Sequence, residues 1–501
     1  MTNEIGSVEE RLPSPWRGAL VRFGLAIIVA LFYVTIVLHY SYTPDDTYIY
    51  LQYAKNLASG GGFAFNPGIP SYGVTGPLWV LLIAAGAKAG LDPFIVAKTF
   101  DILFASLSIV VVYTLSVSLM RDRIYALAAA LIFSFDAFFL RWSASGMETS
   151  FAVILVLLAV KYAYLGDFHI AAFVTGLLTL VRPEGALLFI VLLIDNTARA
   201  FLLGKDWRKF WIEFVVYGLV VAPWLVYSYV EFGSMVPNTQ LAKSAAQWSL
   251  AAAFSSAWDS VVSLCSTQLL PLLVLAVGIS FMIYKHGFGK VVRAFWPIVW
   301  VLVLLFGYAV LNVQVVSRYL VPAIPLIIIF AVWCLKQLEG WFGLSTRKTL
   351  LVLGILTSVT IVQNQILYRI VVVPHMDSFS RGMEKGIKPL AEWLRDNSPR
   401  TSSVLTPDVG LLGYVANRRV FDTAGLITPL VKRAFDGESY DEGMMQKKYR
   451  NVVTPNFIVD RSSIKQRLAS DSLMPIMTSE FGSLGIRKSE TTYYTLYKVV
   501  Q

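Results

Sequence analysis

Leu20–Tyr40 reads LVRFGLAIIVALFYVTIVLHY, and Thr43–Gly62 reads TPDDTYIYLQYAKNLASGGG. The first stretch is apolar and long enough to cross a ~30 Å hydrocarbon core. It is too long for a signal-peptide core and lacks a small-x-small cleavage site, so it reads as a retained signal anchor. The second stretch sets two acids, Asp45 and Asp46, just beyond the end of that anchor. From Thr47 to Leu57, aromatic and apolar residues alternate with Gln52, Lys55 and Asn56, a pattern that predicts an amphipathic helix along the membrane interface. Gly60–Gly62 and Gly73-Val74-Thr75-Gly76-Pro77 follow, and glycine-rich backbone can approach a ligand closely.

Working outward, the same apolar character recurs along the chain. Of 501 residues, 56% are hydrophobic and 15% charged, and the mean hydropathy is +0.62. This excludes an ordinary soluble domain and predicts a polytopic membrane protein. We read about eleven spans, near 20–40, 94–118, 124–141, 149–166, 168–182, 185–203, 210–230, 261–284, 293–312, 319–337 and 349–371. Residues 77–91 form one more apolar stretch, short and interrupted by Gly86, Lys88 and Gly90.

Charge decides how that stretch is counted. The net charge of +10 sits largely in short loops: Arg11 and Arg17; Arg121 and Arg123; Lys205, Arg208 and Lys209; Lys285, Lys290 and Arg293; Lys336, Arg347 and Lys348. If residues 77–91 do not cross, all of these fall on the cytoplasmic side, as the positive-inside rule requires. The basic residues are therefore topology signals, and no nucleic-acid partner is expected. Loop 41–93 and the tail 372–501 are placed outside.

The expected fold class is mainly α: a helical membrane bundle (residues 1–371) with a small extracytoplasmic α/β domain (372–501). In that domain a helix is expected over Pro389–Arg395, strands at Ser403–Leu405 and Phe457–Val459, and a Ser-capped helix over Ser462–Leu468. Cys265 and Cys334 lie in apolar runs and read as packing residues. No internal repeat or low-complexity tract is present.

Two carboxylates just outside a bilayer can activate an acceptor hydroxyl by general-base catalysis; alternatively, Asp45 or Asp46 caps the following helix. Other charges lie at outer ends of spans, where they are costly and commonly serve a ligand. Arg141 and Glu148 flank Trp142–Met147, with snorkelling as the alternative for Arg141. Arg182-Pro183-Glu184-Gly185 joins two spans, and Arg182 and Glu184 could pair with each other. Pro237-Asn238-Thr239-Gln240 is followed by Lys243, and Arg318-Tyr319 opens another span. Lys243 and Arg318 have no carboxylate nearby in sequence and suit a phosphate. Outside the cell a nucleotide sugar is not at hand, so a sugar donor must be lipid-anchored. Acids facing basic side chains suit such a donor: the cations hold the departing phosphate and a carboxylate takes the acceptor proton.

These segments resemble the GT-C superfamily of polyprenyl-phosphate-sugar glycosyltransferases. The resemblance is carried by Asp45–Ile49, Tyr53–Leu57, Gly61–Gly68 and Gly73–Trp79. It is closer to the branch of terminal arabinofuranosyltransferases, near the protein mannosyltransferases, through Arg182-Pro183-Glu184-Gly185, Pro237-Asn238-Thr239 with Lys243, Asp408-Val409-Gly410-Leu411-Leu412-Gly413-Tyr414, and Asp422–Leu426. It implies Asp45 or Asp46 as base, a donor phosphate held by Lys243, Arg318 and Arg182, and substrate contacts from Tyr48, Lys55, Glu148, Glu184, Asn238 and Asp408. It further implies an inverting transfer of a pentose such as arabinofuranose, or a hexose such as mannose, to a cell-envelope glycan, lipid or protein. Asp408 and Asp422 have a turn-stabilising alternative. The chain is shorter than typical mycobacterial members, which weakens the case for arabinose. No HExxH, Cys pair or His cluster occurs, so no cofactor is expected; a divalent metal would have to bind through carboxylates and water. The alternatives are a transporter or flippase of lipid-linked glycans, which would need a charged path to both faces, and an envelope sensor or scaffold, which would need neither the glycine-rich loop nor the acids.

Overall fold

The computed structural model describes residues 15–202, 210–239, 249–435, 437–482 and 491–500. Lys243, Gln240, Arg11, Lys205, Arg208 and Lys209 lie outside them. Every apolar run read as a span is helical. They are α1 (Pro15–Val37), α4 (Pro93–Met120), α5 (Arg123–Ser134) with α6 (Ala137–Trp142), α7 (Thr149–Leu165), α8 (Phe168–Val181), α9 (Gly185–Leu202), α10 (Phe210–Phe232), α11 (Leu250–His286), α12 (Phe288–Ala294) with α13 (Trp296–Val310), α15 (Ile324–Phe342) and α16 (Thr346–Leu367). Among the described residues, five helices are long and apolar enough to cross a membrane, or six if the pair bent by 85° at Phe295 counts as one span. The remaining apolar helices are shorter. One of them is α3 (Pro77–Lys88), the stretch set aside as a span. The short α14 (Ser317–Leu320) precedes α15.

Helices apolar on every side lie at the centre. α7 is buried on nearly all faces from Thr149 to Ala163, and Leu326–Val332 of α15 is buried without a break. An all-round apolar helix is stable only when it is enclosed. The run expected at 124–141 is not one helix. Asp136 accepts hydrogen bonds from the amides of Phe138 (3.0 Å) and Phe139 (2.7 Å), so it ends α5 and caps α6. Its other oxygen accepts from Gln268 Nε2 at 2.8 Å, where α11 is itself non-helical. Asn364 of α16 closes this polar knot, accepting from the Ala137 amide (2.9 Å) and donating to the Thr267 carbonyl (2.7 Å). A buried carboxylate needs such partners.

α2 (Asp45–Ala58) spans the predicted amphipathic stretch, and it packs inside the protein. Most of it is buried. Gln52 donates to the Phe65 carbonyl (3.1 Å) and Asn56 to those of Ala64 (2.9 Å) and Phe65 (2.7 Å), so its polar side chains satisfy the following loop instead of facing water.

Helix continues from α16 through a π-helical turn (Tyr368–Val372), α17 (Val373–Gly382), a second π-helical turn (Met383–Ile387) and α18 (Lys388–Asn397). The helical rod therefore runs through the proposed boundary at 371–372. Beyond it, β1 (Ser403–Thr406), α19 (Gly410–Ala416), β2 (Arg419–Asp422), α20 (Pro429–Ala434), α21 (Tyr440–Met445), β3 (Phe457–Ser462), β4 (Leu473–Phe481) and β5 (Thr492–Val499) form an α/β unit. Its sheet has the order β2-β1-β3-β5-β4. β1 is parallel to β2 and β3, while β5 is antiparallel to β3 and β4. The helix expected over Ser462–Leu468 is absent. Ser462 ends β3, and its hydroxyl accepts from the Ile464 amide (3.0 Å), a local turn that competes with helix. Arg467 is drawn onto Asp460 (2.8 Å) and Asp441 (2.5 Å). Cys265 and Cys334 are both free thiols.

Candidate active site

Neighbouring residues on a helix point about 100° apart, and α2 uses this to send its two acids to different places. Asp45, Tyr48 and Lys55 share one face. Asp45 accepts from the amides of Gly410 (2.9 Å) and Leu411 (2.8 Å), at the start of α19. A Cβ at Gly410 would overlap the Asp45 carbonyl, and one at Gly413 would come within 2.6 Å of the Phe65 ring. Tyr48 packs on Tyr414 (5.8 Å) and Phe94 (6.3 Å), and the Lys55 ammonium lies 5.5 Å over the Tyr414 ring. Asn66 exchanges two hydrogen bonds with the Val420 backbone (2.9 and 2.8 Å). Asn238 donates to the Leu426 carbonyl at 3.2 Å. The Asp408–Tyr414 motif thus docks the C-terminal unit onto the first loop. Asp408 itself takes both oxygens to Arg461 (2.9 and 3.0 Å) and accepts from Tyr494 (2.6 Å). Asp422 accepts the amides of Ala424 (2.6 Å), Leu426 and Ile427 (3.0 Å), holding the turn after β2.

Neither acid caps α2, whose N-cap is Pro44 with no side-chain bond. Burial, with Asp408 nearby, pushes Asp45 up to about 7. Burial similarly pushes Tyr48 up to about 12 and Asp422 to about 6, and it lowers Lys55.

Asp46 faces the helical bundle. It pairs with Arg318 at 2.6 Å, while its side chain stays 43% exposed. Arg318, which has no carboxylate nearby in sequence, thus finds one 272 positions away. Arg182 does not pair with Glu184. It pairs with Glu148 at 2.9 Å and also donates to the Arg318 carbonyl at 3.1 Å, so the two ion pairs are joined. Glu184 instead accepts from the Tyr308 hydroxyl at 3.0 Å. The guanidinium of Arg318 lies 5.7 Å from the Trp142 ring and 5.3 Å from that of Tyr319; Arg182 lies 5.6 Å from Tyr319. The glycine-rich loop is held against this cluster. Tyr53 bonds to Ser71 (2.7 Å) and accepts from the Gly73 amide (3.0 Å). A Cβ at Gly73 or Gly76 would come within 2.6 Å of the Tyr53 hydroxyl or 2.7 Å of the Val181 carbonyl, respectively.

Two further features border these pairs: Arg141, singled out in the sequence, and Lys98 with Asp101, which were not. Arg141 is buried. It donates to the Tyr42 hydroxyl (3.2 and 3.0 Å), meets His375 Nδ1 at 3.3 Å, and lies 5.0 Å from the same Trp142 ring as Arg318. Among the described residues it forms no ion pair. Lys98 is fully buried and gives all three protons to carbonyls: Tyr40 (3.0 Å), Tyr42 (2.7 Å) and Ala144 (2.6 Å). Asp101, one turn on, accepts from Ser145 (3.2 Å), the Gly146 amide (2.9 Å) and Ser150 (2.5 Å). Thr47 closes onto the Ser145 carbonyl at 3.1 Å. Together they fix the chain on both sides of Asp46. Their sequence signal was a Lys and an Asp inside an apolar run, which marks structural or functional use.

The fold is a helical bundle, with several helices long and apolar enough to cross a membrane, joined to a small C-terminal α/β domain. It is similar to the oligosaccharyltransferase AglB from Archaeoglobus fulgidus, solved with an inhibitory peptide and a dolichol-phosphate (TM-score 0.59, 14% identity, 89% of this chain and 70% of that one). It is likewise similar to ArnT from Cupriavidus metallidurans, both bound to undecaprenyl phosphate (TM-score 0.54, 12% identity, 95% and 98%) and in the apo state (0.57, 13%, 96% and 98%). Residues 379–497 match a protein family described as a domain of unknown function, DUF8728. No curated protein matches the chain.

Proposed function

We propose that the chain is a membrane glycosyltransferase that moves a sugar from a polyprenyl-phosphate carrier to an acceptor hydroxyl on the extracytoplasmic face of the inner or plasma membrane. The observation that carries this reading is the Asp46–Arg318 pair. It joins a half-exposed carboxylate to a nearly buried guanidinium at the junction of bundle, first loop and outer domain, whereas Asp45 is committed to the amides of α19. The GT-C fold and the lipid phosphates held by its structural neighbours support it.

In this reading Asp46 is the base. It removes the proton from the acceptor hydroxyl as that oxygen bonds to the anomeric carbon and the bond from that carbon to the lipid phosphate breaks. A single displacement through an oxocarbenium-like state inverts the centre. Arg318 holds the Asp46 side chain in an ion pair while the site is empty. An arriving phosphate competes for the guanidinium and frees the carboxylate to accept a proton. Arg141, a buried cation with no ion pair among the described residues, shares the charge that develops on the phosphate; Lys243 remains a further candidate. Arg182 with Glu148, and Glu184 with Tyr308, shape the wall beneath. Tyr48, Lys55, Asn238 and Asp408 act through the seam between loop and outer domain. The donor sugar is a pentose such as arabinofuranose or a hexose such as mannose, and the acceptor an envelope glycan, lipid or protein. No resident cofactor is proposed.

Purified protein incubated with a panel of polyprenyl-phosphate pentoses and hexoses should release polyprenyl phosphate from at least one of them. Movement of an intact lipid-linked sugar across a vesicle membrane, with no release, would contradict the reading.

A further inference from the structure

At the end of the bundle away from Asp46 lies a second feature that sugar transfer does not use. α4 is 28 residues long, roughly 42 Å at 1.5 Å per residue. Its first turn holds Phe94 against Tyr48. Its last turns meet the start of α1 and of α5 around a cavity of about 360 Å³, lined by Gly18, Arg22, Tyr113, Thr114 and Arg123 among others.

Three cations converge on it. Arg22 and Arg123 line it directly, and Lys161 reaches its edge by donating to Thr114 Oγ1 at 3.0 Å. Arg123 reaches the cavity over a glycine: a Cβ at Gly18 would sit 3.3 Å from its Nη1. The neighbouring acid is already engaged, since Asp122 accepts from the Ile124 amide (2.9 Å) and pairs with Lys336 (3.6 Å). Among the described residues neither Arg22 nor Arg123 has an ion-pair partner. Val21 and Val117 line it beside the cations, and elsewhere on α1 and α5 Leu20 (68%), Phe23 (66%) and Ile124 (54%) are exposed.

We propose that this cavity binds the headgroup of an anionic phospholipid from the leaflet opposite the transfer site. Paired guanidiniums suit a phosphodiester, and basic pockets between membrane helices are suited to anionic lipid headgroups. The valines in the lining and the exposed apolar side chains on the same helices suit acyl chains, which a free phosphate would leave unused.

Native mass spectrometry of the full chain, titrated with phosphatidylglycerol or phosphatidylcholine, tests this. The wild type should hold phosphatidylglycerol roughly tenfold more tightly than Arg22→Ala/Arg123→Ala, with phosphatidylcholine unchanged. Gly18→Leu, which fills the cavity and keeps both charges, should lose the same lipid. If the double variant fails to fold, wild-type thermal stability is read instead: it should rise with phosphatidylglycerol but not with phosphatidylcholine or inorganic phosphate. Equal phosphatidylglycerol retention in wild type and both variants would overturn the proposal. So would equal stabilisation by inorganic phosphate and by the lipid.

Discussion

Asp45 and Asp46 were legible in the sequence as a pair of acids just beyond the first helix, but the different elements they face were not. That difference depends on the phase of α2 against Gly410 and Arg318, which lie 365 and 272 positions away. Distance in sequence likewise hid the partner of Arg318, and Arg182 pairs with Glu148, 34 positions away, instead of with Glu184. Arg318→Gln keeps a hydrogen-bond donor but removes the charge. It should lower kcat by about 10²–10³ on a responsive donor, the usual scale for losing one electrostatic stabiliser, without changing the elution of the protein on size exclusion. Lys98→Met leaves three carbonyls without their donor in a dry interior. It should cost about 3 kcal/mol or more of stability, seen as a lower midpoint of thermal unfolding in detergent.

At the scale of elements, the apolar runs were legible because a helix needs only its own backbone hydrogen bonds to survive in a membrane. What was not legible came from contacts between elements. Asp136 splits the run at 124–141 because Gln268 is there to share its charge, and the segment after Ser462 turns because Asp460 and Asp441 take Arg467. The Asp408–Tyr414 motif was visible as a motif, yet its use in docking shows only when Asp45, Phe65 and Tyr48 face it. Gly410→Ala places a methyl group against the Asp45 carbonyl. Overpacking of this kind costs about 1–3 kcal/mol, and it should appear as faster proteolysis between α18 and β1 than in wild type. An unchanged cleavage rate would mean that the seam is looser than described.

Across the whole molecule, bundle and C-terminal unit are held together at a seam that contains a carboxylate of raised affinity for protons. Asp45 is pushed to about 7 and Asp422 to about 6, so the folded protein binds more protons than the unfolded chain between the ordinary carboxylate value and neutrality. Stability contributed by these groups is greatest at the acid end of that window and falls as pH rises towards 7. Unfolding of the C-terminal unit, followed by the fluorescence of Trp393, which packs against Phe457, should show this decline, and Asp45→Asn should flatten it. Stability that rises over the same range would contradict the assignment. The sequence placed this unit outside by charge balance alone; the seam that holds it could not be read there, because it consists of pairings between residues hundreds of positions apart.

The most direct measurement compares Asp45→Asn with Asp46→Asn in lipid nanodiscs, reading polyprenyl phosphate released from a responsive donor in a single turnover. Asp46→Asn should lose about 10²–10⁴ in rate, the range for removing a general base, while Asp45→Asn keeps a readily measured rate. A well-folded Asp46→Asn protein that turns over like wild type, or an Asp45→Asn protein that alone is inactive, would contradict the account.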